Sequence, residues 1–349
     1  MDDYFKHEEL MKSPPIKRAA YSDRTAWIMA ELSRLVYEHL PSEKELEEFL
    51  DRLSKQILEG VEKSDLKFTA SKVLATIKGE SAESDVSKVL ASKKIKLIKS
   101  YSEEGTEAMI VEFPQNKEAG FDGMFVIVFR GTQINSIKDI KSDLKADLVP
   151  AKGGGRIHRG FKAAYEKIDR LLSEDLKKAG TTPVYITGHS LGGALAMVAT
   201  RYLCNDSLGA TYTFGCPRVA DDDFFKCIKT PVYRVVNAAD GVARVPFGSG
   251  LTLLLIIIRL IPINGTKVIS EFFRKYFSGY THYGNMTLLS AGAAGSKVQI
   301  YKSPTIFKAA LQVILPHWIK TRGKATFTDH FIAGYCKKLG DYALERFNL

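Results

Sequence analysis

The stretch that most constrains what this chain can fold into is PVYITGHSLGGALAMVA, residues 183–199. Four residues of high β propensity, Val184 to Thr187, run into Gly188-His189-Ser190-Leu191-Gly192, and a run of small and apolar residues follows. The order is strand, very tight turn and helix, with Ser190 at the apex. The G-x-S-x-G spacing has a steric origin: a serine held in a strained turn leaves no room for a β-carbon two residues to either side. The turn lifts the Ser190 hydroxyl out of the sheet at a helix N-terminus, where free backbone N–H groups can stabilise a developing oxyanion.

The chain has 349 residues, 45% of them hydrophobic and 26% charged, enough for one large α/β domain or two ordinary ones with a sizeable core. The net charge of +10 favours anionic surroundings. The lysines are scattered and not interleaved with aromatics, so no nucleic-acid partner is expected. Cys204, Cys216, Cys227 and Cys336 show no CxxC spacing and read as free, mostly buried thiols; neither a metal site nor a disulfide framework is expected. The N-terminus, MDDYFKHEELMKSPPIKR, lacks the apolar core of a secretory signal. The expected location is therefore cytoplasmic, or outside the cell by a route that reads no such signal.

From Tyr21, YSDRTAWIMAELSRLVYEHL has apolar residues at helical spacing with Ser22 or Asp23 as N-cap. A capping box, Ser42-x-x-Glu45, opens a second amphipathic helix carrying Leu46, Phe49, Leu50, Leu53 and Ile57 and stopping at Gly60. Shorter helices are expected over 68–77 and 84–90. Residues 1–92 thus read as a mostly helical lobe packed on the core, and 93–349 as the catalytic domain. Near Lys94 the pattern turns to β: KIKLIKSY, a turn with Gly105, and EAMIVEF form a hairpin, and 123–132 a buried strand. That strand ends in Arg130-Gly131-Thr132, in isolation an ordinary strand-ending turn. Gly153-Gly154-Gly155 is not followed by GxGxxG, so no dinucleotide site is expected. After His158-Arg159-Gly160-Phe161 the apolar spacing predicts one helix of about two dozen residues. Strands at 211–214 and 232–236 follow. The second delivers Asn237-Ala238-Ala239-Asp240 to its C-terminal end, on the same side as Ser190, where parallel sheets collect their chemistry.

A serine nucleophile needs a base, and the base a carboxylate that fixes its tautomer. His7 and His39 precede the sheet, His158 precedes the elbow, and His189 lies inside it, pointing away from the nucleophile in a structural role. His282, His317 and His330 follow Asp240. The order Ser, Asp, His of α/β-hydrolases restricts the base to these three, and spacing does not choose among them.

The motifs GHSLGGALA, FRGT, HRGFKAAY, TFGCPRVAD and VVNAADGVARVP, in this order, resemble the class 3 lipase family, α/β-hydrolases that include the fungal triacylglycerol lipases. The resemblance runs from about residue 90 to the C-terminus, and YSDRTAWIMAELSRLVYE resembles the start of a microbial subgroup. It implies an α/β-hydrolase fold, a mostly parallel central sheet flanked by helices, with an N-terminal helical extension. It implies Ser190 as nucleophile and Asp240 as acid. TDHFIAGY resembles the family's segment with the catalytic histidine, which selects His330 as base; GYTHYGNMTLL resembles its non-catalytic counterpart, leaving His282 as the alternative base. Thr132 and Leu191 correspond to the oxyanion-hole positions. The implied activity is hydrolysis of lipid carboxylic esters, as a triacylglycerol lipase or esterase without metal or cofactor. Two alternatives stand beside it: a phospholipase A1 acting at membranes, and a non-enzymatic lipid-binding protein on a hydrolase scaffold.

One stretch departs from a plain hydrolase. An apolar insertion at about 247–278 contains GSGLTLLLIIIRLIPI, shorter than the roughly twenty residues that cross a bilayer. It reads either as a buried helix or as a lid. In the second reading 251–263 makes transient contact with a membrane or lipid interface, with Arg259, Arg274 and Lys275 meeting anionic headgroups, and the chain is peripheral to membranes.

Overall fold

The computed structural model describes residues 3–12, 14, 20–38, 85–118, 120–131, 147–203, 208–245, 279–291 and 297–347. The helices expected within 42–60 and 68–77, Thr132 and the apolar insertion at 247–278 lie outside the described residues.

Among the described residues, three helices, α1 (Glu8–Met11), α2 (Asp23–Leu35) and α3 (Asp85–Ser92), precede the expected hairpin of β1 (Lys96–Glu103) and β2 (Thr106–Phe113). Then follow β3 (Met124–Phe129), the short pair β4 (Leu148–Pro150) and β5 (Arg156–His158), α4 (Arg159–Glu166), α5 (Asp169–Leu176), β6 (Val184–His189), α6 (Leu191–Tyr202), β7 (Leu208–Phe214), α7 (Asp222–Phe225) and β8 (Val232–Asn237). The C-terminal part adds β9 (Asn285–Leu289), β10 (Ile300–Lys302) and α8 (Ile306–Ala309), continued through a π-helical stretch (Ala310–Ile314) into α9 (Leu315–Lys320). Last come α10 (Ala325–Thr328) and α11 (Ile332–Phe347).

An eight-stranded sheet in the order β1-β2-β3-β6-β7-β8-β9-β10 forms the centre. Strands β3, β6, β7, β8 and β9 pair in parallel, and antiparallel strands close both edges. Every residue of β6 and of β8 is buried, as expected of parallel strands covered on both faces. This is the α/β-hydrolase architecture. Strand alternation divides the core in two. Tyr185 joins α2 and α11 on one face through Trp27, Ile28, Tyr335 and Leu339, while Ile186 joins α4, α5 and α6 on the other through Phe161, Tyr165, Leu172 and Val198. Helix α2 is capped by Ser22, whose hydroxyl accepts from Thr25 N at 3.2 Å, and its Ser33 hydroxyl bonds Thr187 of β6 at 3.0 Å.

The single helix expected after His158 is two, broken at Lys167-Ile168. Phe161, Tyr165, Ile168 and Leu172 are all buried, so the apolar period runs unbroken through the bend and spacing cannot reveal it.

Candidate active site

The elbow is built by exclusion of side chains. Ser190 sits at φ 58°, ψ −125°, a sparsely populated conformation for a residue with a β-carbon. A β-carbon on Gly188 would lie 2.2 Å from the Gly192 carbonyl oxygen, and one on Gly192 would lie 2.2 Å from that of Phe129. The helix therefore starts jammed against the ends of β6 and β3, and the Ser190 N–H is held by the Phe214 carbonyl at 2.9 Å.

Above the C-terminal ends of the strands, His330 Nε2 lies 2.9 Å from Ser190 Oγ, and His330 Nδ1 lies 3.0 and 3.1 Å from Asp240 Oδ2 and Oδ1. All three residues are at most 3% exposed, so the hydrogen-bonded set lies in a water-poor environment where electrostatic interactions are strong. A proton on Nδ1 directed at Asp240 leaves the Nε2 lone pair facing the serine hydroxyl. Asp240 Oδ2 also accepts from the Tyr335 hydroxyl at 2.5 Å, and Oδ1 from Val242 N at 2.9 Å. Burial pushes the Asp240 carboxyl up, but the adjoining His330 and the hydrogen bonds from His330 and Tyr335 outweigh it and hold the group below its ordinary value.

The two loops that carry the acid and the imidazole are tied together. Asn237 Nδ2 donates to Asp329 O at 2.9 Å, Ala239 N donates to Asp329 Oδ2 at 2.9 Å, and Gly241 N donates to Thr326 O at 3.0 Å. Lys338 donates to Asn237 Oδ1 at 2.6 Å, and the Arg244 guanidinium donates to the carbonyls of Asp240 and Ala238. His189 holds the other side: its Nε2 donates to His330 O at 2.7 Å while its Nδ1 accepts from the Tyr37 hydroxyl at 2.9 Å. Burial, with His330 beside it, pushes His189 down to about 3, so it serves as a neutral strut. Beneath the pair lies Gly215, at φ +57°, where a β-carbon would come 2.7 Å from Asp240 Oδ2 and 2.9 Å from His330 Nδ1.

Of the three histidines that follow Asp240, His330 is the one bonded to both Ser190 and Asp240. His282 donates to Ala243 O at 2.8 Å, and burial beside Arg234 and Arg218 holds it well below its ordinary value. His317 lies 3.2 Å from Asp329 Oδ2, and His158 caps α4 by accepting from Gly160 N at 3.2 Å. Leu191 opens α6, so its N–H has no intrahelical acceptor and lies next to the serine. Sequence reasoning missed Tyr335, Gly215, Tyr37 and Asp329. Tyr335 reads as one more apolar position on α11, and Gly215 as a turn glycine; Asp329, directly before His330, carried the one visible signal.

Residues 126–249 match the family model lipase (class 3). The chain is 38% identical over 108 residues to the secreted mono- and diacylglycerol lipase 1 of Fusarium solani, covering 29% of this chain and 32% of that protein. It is 31% identical over 173 residues to a lipase of Rhizomucor miehei, covering 45% and 46%. The matches thus span a third to under half of these relatives' length. Among solved structures, the Rhizomucor miehei triacylglyceride lipase is 22% identical, with 75% of this chain and 86% of that chain covered and a TM-score of 0.44.

Proposed function

We infer, from the match of residues 126–249 to the class 3 lipase model and from the geometry of the site, that the chain is a serine hydrolase of lipid carboxylic esters, working through an acyl-enzyme on Ser190. The observation that carries this reading is the unbroken buried relay from Asp240 through His330 to Ser190 Oγ, at 3.0 and 2.9 Å.

In the first step Ser190 Oγ attacks the ester carbonyl carbon while His330 Nε2 takes the hydroxyl proton, and Asp240 stabilises the imidazolium. The tetrahedral oxyanion is met by the Leu191 N–H; the resemblance to the family assigns the second donor to Thr132, which lies outside the described residues. Collapse expels the alcohol, which takes the proton from His330. Water, deprotonated by the same imidazole, then attacks the acyl-serine, and His330 Nε2 returns that proton to Ser190 Oγ as the fatty acid leaves. The relatives' lipase names support lipid esters as the substrate class. Residues 93–349 would form the catalytic domain, with α1, α2 and α3 of the N-terminal lobe packed on it.

The test is a panel of soluble short-chain esters, emulsified glycerides and phospholipids, run beside labelling by a fluorophosphonate. Wild type is expected to hydrolyse glycerides and to label at one serine. Ser190→Ala should lose turnover by about 10⁴-fold or more and lose the label. Undiminished hydrolysis by Ser190→Ala would end the assignment, and phospholipid turnover exceeding glyceride turnover would replace the substrate class.

A further inference from the structure

The segment that ends on His330 carries a second apolar face that the core does not use. Among the described residues, the exposed large hydrophobic side chains are Ile98 and Phe347 together with Leu311, Leu315, Trp318, Ile319, Phe327 and Phe331. The last six fall within twenty-one consecutive positions, 311–331, running from the π-helical stretch to the residue after His330. The inner face of the same segment is already occupied: Ala309, Val313 and Ala325 are buried, and Ala309 and Val313 join Val236, Ala238 and Leu288 at the ends of β8 and β9. Leu311, Leu315 and Trp318, spaced by four and three, therefore lie on the opposite side of the helix. Ile319 is 61% exposed and Trp318 47%, an arrangement that isolated surface hydrophobics do not produce.

Charge says what covers this face. From Leu311 to Phe331 the chain holds Lys320, Arg322 and Lys324 and one acidic residue, Asp329, whose largely buried carboxylate is turned inward to accept from Ala239 N. Lys320, Arg322 and Lys324 are exposed and follow directly on Trp318 and Ile319. Indole and aliphatic groups bordered by cations form the pattern of an element that lies in the headgroup layer of an anionic bilayer. A protein partner would need a matching acidic apolar groove, and a second copy would bring Lys320, Arg322 and Lys324 against themselves, which disfavours self-pairing. No helix among the described residues is long and apolar enough to span a membrane, in keeping with lying on one.

We propose that Leu311–Phe331 is a docking face that seats this protein on anionic lipid surfaces and holds His330 and Ser190 at the interface. The proposal rests on the hydrolase reading only for its purpose. The segment is moored to the site by Gly241 N donating to Thr326 O at 3.0 Å and Asn237 Nδ2 donating to Asp329 O at 2.9 Å, so an interface met by Trp318 and Phe327 lies beside the relay.

Trp318 supplies its own probe, because the other tryptophan, Trp27, is fully buried. Full-length protein is titrated with phosphatidylcholine vesicles containing about 30% phosphatidylglycerol, and with phosphatidylcholine alone. With the anionic vesicles, Trp318 emission is expected to shift to the blue and to be quenched by brominated acyl chains; added salt should weaken the binding. Lys320→Gln/Lys324→Gln should weaken partitioning onto anionic vesicles by about 25-fold, with a far smaller effect on neutral ones. Trp318→Ser/Ile319→Ser should lower the ratio of vesicle-borne to soluble ester turnover by about tenfold or more. Emission that ignores saturating anionic vesicles would overturn the proposal, as would a Lys320→Gln/Lys324→Gln protein that partitions like wild type, or a lipid-free dimer that buries Trp318. Fluorescence reads binding without turnover: a chain that docks on vesicles but hydrolyses no ester would sink the hydrolase reading and leave the docking face standing.

Discussion

Gly215→Ala tests how tightly the relay is packed. Gly215 has φ +57°, and the added β-carbon would start 2.7 Å from Asp240 Oδ2 and 2.9 Å from His330 Nδ1, against an ordinary contact beginning near 3.4 Å. The carboxylate must therefore retreat by about 0.7 Å (3.4 minus 2.7), and His330 by about 0.5 Å (3.4 minus 2.9). Neither can do so freely, since Tyr335 and Val242 hold the carboxylate and Ser190 lies on the far side of the imidazole. A misplacement of about 1 Å costs on the order of 10²-fold in such a site, so kcat/KM should fall by roughly 10- to 100-fold. The left-handed backbone adds about 1–2 kcal/mol of destabilisation, a Tm decrease of about 1–3 °C for a chain of 349 residues. Gly105→Ala separates the two effects: Gly105 has φ +82° but nothing within 4 Å of the added carbon. It should lose comparable stability and keep wild-type kcat/KM. The assay is kcat/KM on a soluble short-chain ester beside thermal unfolding of both variants. A Gly215→Ala protein with wild-type kcat/KM, or a Gly105→Ala protein that loses as much, would refute the steric argument.

Three further outcomes follow from the same geometry. Tyr335→Phe removes a donor to a buried carboxylate and should cost about 1.5–3 kcal/mol at neutral pH. Because the folded Asp240 carboxyl is held low, its contribution is present above the unfolded value and is lost as pH falls through the folded one; urea midpoints of wild type and Tyr335→Phe should converge in acid. His189 is buried neutral, so the unfolded chain binds its proton first and stability falls as pH drops below 6.5 towards about 3. His189→Gln should flatten that part of a Tm-against-pH curve, and an unchanged slope would contradict the strut. His330→Ala should lower kcat by about 10⁴-fold or more, whereas His282→Ala, which frees the Ala243 carbonyl, should be read first in Tm; the reverse pattern in the same two assays would move the base to His282.

Much of this molecule was legible in short-range patterns because the causes are themselves local. The glycines of GHSLGG report a turn so tight that a β-carbon added at Gly188 or Gly192 would lie 2.2 Å from a neighbouring carbonyl oxygen, the apolar runs of β6 and β8 report strands covered on both faces, and Ser22 reports the start of α2. The chain order placed Asp240 on the serine's side of the sheet. Other features depend on residues far apart in the chain. Spacing left three histidines equal; what distinguishes His330 is that Asn237 and Gly241 hold its loop over the strand ends while His189 holds its carbonyl. Tyr335 approaches Asp240 across 95 positions of sequence, and Gly215 matters only because two side chains from other segments cross above it. The helix break at Ile168 left the apolar period intact and so left no trace. The elbow, the parallel sheet and the place of Ser190 at the turn's apex were thus determined by the sequence by itself, since steric and periodic constraints act between near neighbours. The resemblance of TDHFIAGY pointed to His330, but the contacts that bring its imidazole to the serine, and those that hold Asp240 in place, were decided only by tertiary structure, because they join segments that the chain brings together through the sheet.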